Sequence, residues 1–504
     1  MKYTVFYLLI ICFLSCSNKP ENELIDSDVQ FIVTDDEDGS FIENANIKII
    51  GKNGETVLTT DVEGSASTIL KSGKYSLSVE KEGFIPNSLD FSVNDTVEVI
   101  SINLIEQIPE GFRQIPLQSS ITEVQPMTGI VFWNSNAQRE SDAISLEFSY
   151  MLYKDVVKEK DVYDWSVVDN LLTTVAARKH QAIFRFRYVY VGDRETAVPQ
   201  YIRDLHDYHD TLGVSEGRDT RFPDWRHPEL QRFHLDFHKK FAERYDNDPR
   251  LAFLQTGFGL WGEFHIYDGI FIEGRTFPSK EFQETIFTQM NQDFKKLPWS
   301  ISKDAADGRY GPFRDKPELK NLKFGIFDDS FMHQTHGSYN TSCWNFFDRE
   351  RSKTSPAGGE FGFYVLPHDQ QNVLNPEGMY GRTFESEAAK FRISYMIGDW
   401  QPTYQTMERI KEASMACGYR FHILNLIEKD NVTRVKVANK GVAPIYYDAY
   451  ISINGVKAKE SLITLLPGTK QWYEIPTGGN NPVITIECER LVPGQKIEFE
   501  ANLK

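Results

Sequence analysis

The chain predicts an α/β protein, a (β/α)8 TIM barrel flanked by an amino-terminal and a carboxyl-terminal β-sandwich. Three observations carry that prediction. At 504 residues the chain is too long for one ordinary domain. Between residues 108 and 420 apolar runs of strand length alternate with helical patterns, which implies a parallel sheet. On either side of that segment, short alternating runs are broken by turn dipeptides, as in small sandwiches.

The first element is a targeting segment. Met1-Lys2 is followed by an apolar run from Val5 to Leu14, too short to span a bilayer as a mature helix and shaped like a signal h-region. It ends at Leu14-Ser15-Cys16, followed by polar Ser17-Asn18-Lys19. This resembles the lipobox of bacterial lipoproteins, with Phe13 in place of the usual outer residue. The resemblance implies that residues 1–16 are a signal, that Cys16 is lipidated, and that the protein is exported to the cell envelope, at the outer membrane or the cell surface. Cys12 leaves with the signal, and Cys343, Cys417 and Cys488 show neither disulfide nor zinc spacing.

From residue 27 to 105, the runs Val29–Val33, Ala45–Ile50, Tyr75–Val79 and Val97–Ile102 are separated by Asp38-Gly39, Asn53-Gly54, Glu63-Gly64 and Glu82-Gly83. They predict a β-sandwich. The stretches Thr59–Gly64 and Gly73–Phe84 resemble carboxypeptidase-regulatory-like modules, which implies a spacer. Asp35–Gly39 is acidic but lacks the ligand spacing of a calcium loop.

Eight strands are predicted between residues 108 and 420. They are Gly129–Asn134, Ile144–Leu152, Gln181–Tyr188, Leu251 onward, Pro298–Asp304, Leu322–Asp328, Ala357–Glu360 and Ile393–Trp400. A helix from Asp161 to about Arg178–His180 and another over Pro228–Tyr245 are read, with a long polar connection before the second. From residue 421 to 504, Val432–Ala438, Ala449–Ile453, Val483–Glu487 and Lys496–Glu500 predict the second sandwich.

Composition narrows the function. A net charge of -17 argues against nucleic acid as a partner, since phosphate binding needs a basic surface. An aromatic content of 13% supplies flat faces on which sugar rings stack, and so favours carbohydrate.

The stretch with the most chemistry is Leu251-Ala-Phe-Leu-Gln-Thr-Gly-Phe-Gly-Leu-Trp-Gly-Glu-Phe-His265. A continuous apolar run suits a parallel strand covered on both faces. The glycines then free the backbone at its carboxyl end, where α/β barrels bind ligands. Glu263 is the prime candidate there, although a lone buried glutamate paired with a base would look the same. A second carboxylate changes the balance. Gly358-Gly359-Glu360 ends the seventh strand, so Glu263 and Glu360 are expected to face each other across the barrel mouth. Glycoside hydrolysis needs such a pair, one protonated and one ionised.

This placement resembles the clan of retaining β/α-barrel glycosidases, and within it bacterial β-galactosidase-like barrels with a Trp-Gly-Glu-aromatic-His strand end and a trailing β-sandwich. The resemblance implies Glu263 as general acid/base, Glu360 as nucleophile, and a β-linked, galactose-type poly- or oligosaccharide as substrate. Retention implies carboxyl groups about 5 to 5.5 Å apart. Gly262 stands where much of the clan has asparagine.

Further substrate-binding candidates are Trp133 and Asn134 on the first strand, Arg187 on the third, Trp261 and His265 beside Glu263, His333 after the sixth, and Trp400 on the eighth. Arg185 and Arg187 point to one side of their strand, leaving a sulfated or uronic sugar open. Asp304, Asp328 and Asp329 are acidic groups at strand ends, able to hold a hydroxyl or a cation. His234 and His238 have zinc-protease spacing, but Leu235 replaces the required glutamate, so an ordinary surface of an outer helix is expected. No cofactor or metal is called for. The expected partners are a carbohydrate and, through the lipid, a membrane. The competing class is a glycan-binding surface lipoprotein that keeps a barrel without catalysis.

Overall fold

The computed structural model describes residues 26–52, 54–94 and 98–504, so the signal and Cys16 lie outside the described residues. The chain forms two compact units, Met1–Gly111 and Phe112–Lys504.

The first unit holds two four-stranded sheets. One joins Ser65–Lys71, Asp26–Asp35, Glu98–Glu106 and Phe84–Ile85; the other joins Gly54–Thr59, Asn46–Gly51, Gly73–Glu80 and Asn87–Val93. Alternation decides which residues are buried: Val29, Phe31 and Val33 turn inward from one sheet and Ile47, Ile49, Leu77 and Val79 from the other. The predicted runs fall on strands at Val29–Val33, Asn46–Ile50, Tyr75–Val79 and Glu98–Ile102, while Val97 lies outside the described residues. The strands at 54–59, 65–71 and 87–93 carry serine, threonine and charged residues on an open face, which weakens their apolar alternation.

The second unit is built on a closed barrel of eight parallel strands. In chain order they are β1 (Gly129–Trp133), β2 (Leu146–Leu152), β3 (Gln181–Arg187), β4 (Leu251–Thr256), β5 (Trp299–Ser302), β6 (Gly325–Phe331), β7 (Ala357–Phe361) and β8 (Ile393–Ile397), with β8 pairing back to β1. Every residue of β4, β7 and β8 is buried, because each lies between the barrel interior and an outer layer. Helices do not follow every strand. Among the described residues no helix separates β1 from β2, and only short 3-10 turns separate β5 from β6.

Two local differences from the predicted elements have clear causes. The helix expected from Asp161 starts at Ser166, because Val157–Glu159 and Val162–Tyr163 form a hairpin that turns at Asp161 with φ 62°. The polar connection before β4 contains the hairpin Thr211–Ser215 and Arg218–Phe222, turned by Glu216 and Gly217, both with positive φ.

Although the sequence reading places residues from 108 onward with the barrel, Arg113–Gln114 and Leu117–Ser119 join the carboxyl-terminal six-stranded sheet, beside Phe421–Lys429 and Phe499–Leu503. A three-stranded sheet accompanies it. These sheets share one hydrophobic core with the barrel, in which Val131, Ile183 and Phe253 pack with Phe421, Leu426 and Tyr473. Polar groups reinforce the joint at the amino-terminal ends of the strands. Arg490 Nη2 donates to the Leu251 carbonyl at 2.7 Å, and the Tyr447 hydroxyl donates to that of Ala252.

His234 and His238 correct the expectation of an exposed helix face. Both are buried on the inner side of helix Pro228–Tyr245, where Tyr188 OH lies 2.8 Å from His234 Nδ1 and the His238 Nδ1 pairs with the His234 carbonyl. Burial holds both imidazoles well below their usual pKa, so they serve the core as neutral rings.

A Cβ added at Gly358 would lie 2.3 Å from the ring of fully buried Tyr395, which stacks on Phe253 at 4.9 Å. Gly358→Ala is therefore expected to cost about 1 to 3 kcal/mol, as overpacked cores do. Urea unfolding of the variant and the parent measures it, and equal midpoints would refute it.

Candidate functional site

At the carboxyl ends of the strands a cavity of ≈ 500 Å³ opens. Glu263 and Glu360 both line it, so the two carboxylates do face one space, with Trp133, Trp261 and Trp400 around them.

Glu263 is placed by a backbone that could not accept other residues. After β4 the chain folds back on itself, with Phe258 and Gly259 N–H donating to the Glu263 carbonyl and Leu260 N–H to that of His265. A Cβ at Gly257 would meet the Gly262 oxygen at 2.3 Å, and one at Gly259 the His265 oxygen at 2.0 Å. Trp261 and Gly262 both have positive φ and turn the glutamate inward. Glu360 sits in β7, whose two glycines let the strand press against Tyr395 and the Asp328 backbone.

Arg185 occupies the barrel centre, fully buried. Its Nη1 donates to Glu263 Oε1 at 2.8 Å and its Nε to Gln255 Oε1 at 2.8 Å, and Gln255 in turn donates to Tyr395 OH at 2.9 Å. The guanidinium carbon lies 4.5 Å from the centre of the Phe327 ring. On the other side of Glu263, His265 Nε2 lies 3.8 Å from Oε2, while its Nδ1 pairs with Asp304 at 3.0 Å. Lys303 Nζ contacts Asp329 Oδ1 at 2.5 Å and Asp304 Oδ1 at 3.4 Å.

Burial pushes the Glu263 carboxyl up to about 8, helped by Asp329 and opposed by Arg185 and His265. Burial also raises Glu360, to about 7, against the pull of Arg185 and with the help of Asp329 and Asp399. Two carboxyl groups in one cavity thus both hold their protons well above the ordinary glutamate range, with burial as the main cause. Burial works to lower the His265 imidazole, yet its hydrogen bond to Asp304 and the charges of Asp304, Glu263 and Asp329 carry it up to about 9.

The other expected residues divide. Trp133 lines the cavity and its backbone N–H donates to Asp399 Oδ1 at 2.9 Å; its buried indole N–H has no partner. Trp400 is 42% exposed on the cavity wall, edge-on to Phe363 at 5.1 Å. Asn134 and Arg187 are not among the residues lining this cavity; Arg187 is tied to Asp193 at 3.1 Å and lies over the Tyr190 ring. His265 and His333 line a neighbouring chamber instead, where His333 Nδ1 pairs with Asp369 at 3.0 Å. With Arg185 and Arg187 engaged inside the protein and five carboxylates lining the cavity, no pair of free arginines awaits an anionic sugar.

Sequence reasoning missed Tyr150, Tyr190, Glu216, Arg218, Phe363 and Asp399 on the cavity wall. Tyr150 was signalled by its two-residue spacing from Phe148 on β2, and Glu216 and Arg218 by the Glu-Gly turn between β-branched runs. Glu263, His265 and Asp329 present donor atoms within 4.8 Å of one another and form the one candidate metal trio among the described residues. Arg185 and Lys303 already answer its two carboxylates with positive charge, which sets the trio against a further cation.

No family model matches this sequence, and no curated protein does. Partial likenesses exist among solved structures. The TIE protein of Bacillus anthracis is 23% identical over 16% of this chain and 17% of that one, with a TM-score of 0.15. A candidate carbohydrate-binding protein of Bacteroides uniformis is 16% identical over 20% of this chain and 49% of that one, with a TM-score of 0.16. The 5-hydroxyisourate hydrolase of Klebsiella pneumoniae is 16% identical over 16% of this chain and 91% of that one, with a TM-score of 0.15. The chain spans less than a fifth of the first of these and about half of the second. At such TM-scores the function has to be argued from the site.

Trp400 offers an exposed indole face rather than a core ring. Trp400→Ala is expected to move stability by well under the roughly 3 to 5 kcal/mol that a core tryptophan costs. A melting curve checks it, and a large fall in melting temperature would reverse the assignment.

Proposed function

We propose that the second unit is a retaining glycoside hydrolase acting on a β-linked, galactose-type oligo- or polysaccharide, with its eight-stranded barrel read as a variant (β/α)8 fold. The observation that carries this reading is the pair of buried carboxyl groups, Glu263 and Glu360, lining one aromatic-walled cavity at the carboxyl ends of β4 and β7 and pushed up to about 8 and about 7. Galactose and retention come from the resemblance of the strand ends.

In this reading a sugar stacks on Trp400 while Glu263, protonated, gives its proton to the leaving oxygen. Glu360, ionised, attacks the anomeric carbon and forms a glycosyl ester; Glu263, now ionised, takes a proton from water, which opens that ester. The Arg185 guanidinium supports the middle of the cycle. Glu263 carries a negative charge there, and a hydrogen-bonded cation 2.8 Å away stabilises that charge without waiting for solvent to reorganise.

The same bond favours the competing reading, a glycan-binding protein without catalysis, since a carboxylate held by arginine is also an ordinary buried ion pair. Turnover separates the two. Glu360→Gln is expected to abolish hydrolysis, and Glu263→Gln to spare mainly aryl glycosides, whose leaving groups need no proton. Activity should fall as the pH drops below about 7, where Glu360 gains a proton, and again above about 8, where Glu263 loses one. A screen of plant and algal β-galactans and aryl β-galactosides reads these outcomes; full activity in both variants would leave only binding.

We also read the protein as an envelope lipoprotein, supported by the Leu14-Ser15-Cys16 segment. Among the described residues no helix is long and apolar enough to cross a membrane. Cys16→Ala is therefore expected to move the protein from the membrane fraction to the soluble one. Fractionation with a lipid label tests it, and an unchanged membrane fraction would count against the anchor.

A further inference from the structure

Beside the cavity that holds Glu263 and Glu360 lies a second chamber of ≈ 370 Å³, which the proposed chemistry leaves unused. The two are one side chain apart. Tyr364 lines both, and the residues on either side of the wall are in contact: His265 with Glu263 at 3.8 Å, and Lys303 with Asp329 at 2.5 Å. Tyr267, on the chamber side, donates its hydroxyl to Glu216 on the cavity side.

The chamber has the chemistry of a site for an uncharged sugar. Four tyrosines, Tyr267, Tyr310, Tyr339 and Tyr364, supply aromatic faces, and Ser330, Thr335 and Asn340 add short polar side chains. Most of its charged side chains are answered within the protein, and the Asp307 carboxylate accepts the Arg309 backbone N–H at 2.9 Å. Asp304 accepts from Tyr339 at 2.8 Å and pairs with His265 and Lys303, and His333 is held by Asp369. One polar atom is left over. His265 Nε2 is buried without a hydrogen-bond partner, in the wall that separates the chamber from Glu263.

We propose that this chamber is the subsite for the leaving-group side of the substrate, binding the neutral sugar residue released when the glycosidic bond breaks. The assignment rests on the glycosidase reading and on position. The acid must stand beside the leaving oxygen, and the chamber reaches Glu263 through His265, 3.8 Å from it, while Glu263 itself lines the cavity with Glu360, Trp133, Trp400 and Asp399. A substrate filling both spaces has at least two sugar residues, so the natural substrate is an oligo- or polysaccharide and a simple glycoside uses half of the site. Binding energy gathered in the chamber would then be spent on the chemical step.

Two probes test this: 4-nitrophenyl β-D-galactopyranoside, which places only a flat aryl group beyond the bond, and β-1,4-galactotetraose. The full-length protein is expected to show a kcat/KM at least tenfold higher for the tetraose. Thr335→Trp fills the chamber from an exposed position, and Tyr339→Ala removes one aromatic face; each is expected to lower the ratio of the two kcat/KM values at least tenfold, with melting temperatures recorded alongside. An equal kcat/KM for both probes, or an unchanged ratio in both variants, overturns the subsite and leaves the glycosidase standing. Failure of the parent protein to turn over either probe overturns the galactosidase reading, and the subsite with it.

Discussion

A guanidinium sealed inside a protein must be answered by charge and hydrogen bonds at once, because removing it from water costs several kcal/mol. Arg185 imposes that constraint on the barrel, and the site is arranged around meeting it. Glu263 accepts from the guanidinium and answers its charge when ionised, Gln255 and behind it Tyr395 supply further hydrogen bonds, and Phe327 offers a ring face. These partners come from β4, β6 and β8 and from the loop after β4, so one buried cation ties a large arc of the closed sheet together. Gly358 of β7 belongs to the same arrangement, since it makes room for Tyr395.

That arrangement carries a cost in stability that grows with pH. Glu263 and Glu360 both hold protons more tightly in the folded chain than an ordinary glutamate does in the unfolded one. The folded state then binds more protons, so stability declines as pH rises from near 4.5 through about 7 and about 8, where the two groups finish ionising. A site that must keep one buried carboxyl protonated and its neighbour ionised works within that decline. Lys303 limits the further cost of the nearby aspartates by lying within reach of Asp304, Asp328 and Asp329 together.

All eight barrel strands were found, β4 most plainly because burial on both faces leaves an apolar run and β7 through its glycines, whereas β6, predicted at Leu322–Asp328, lies at Gly325–Phe331 because it carries Asp328, Asp329 and Ser330. The two glutamates were legible for the same reason, standing where such runs end. What escaped the sequence depends on contacts made at a distance. Nothing local shows that Arg185 will pair with Glu263, seventy-eight positions away, or that Arg187 will turn to Asp193 instead. His234 and His238 have a spacing that marks one face of a helix, but the spacing cannot say which face meets the barrel. The hairpin that brings Glu216 and Arg218 to the cavity buries Gly213, Ser215 and Thr220 and leaves Leu212 and Val214 exposed, so no run of inward apolar residues marked it and it read as loop.

The turn from Gly257 to His265 has a bearing on how such a protein can change over time. Its backbone is packed so closely on itself that side chains at Gly257 or Gly259 would collide with main-chain oxygens, and a register shift of one residue would carry Glu263 out of the cavity. Mutation has almost no neutral steps available there. The 211–222 hairpin and the chain around Phe363 to Leu366 reach the same cavity from exposed positions with room around them. Descendants of this chain are therefore free to vary the cavity through those two edges while inheriting the turn that holds Glu263 unaltered, so that divergence and permanence are written into different stretches of one polypeptide.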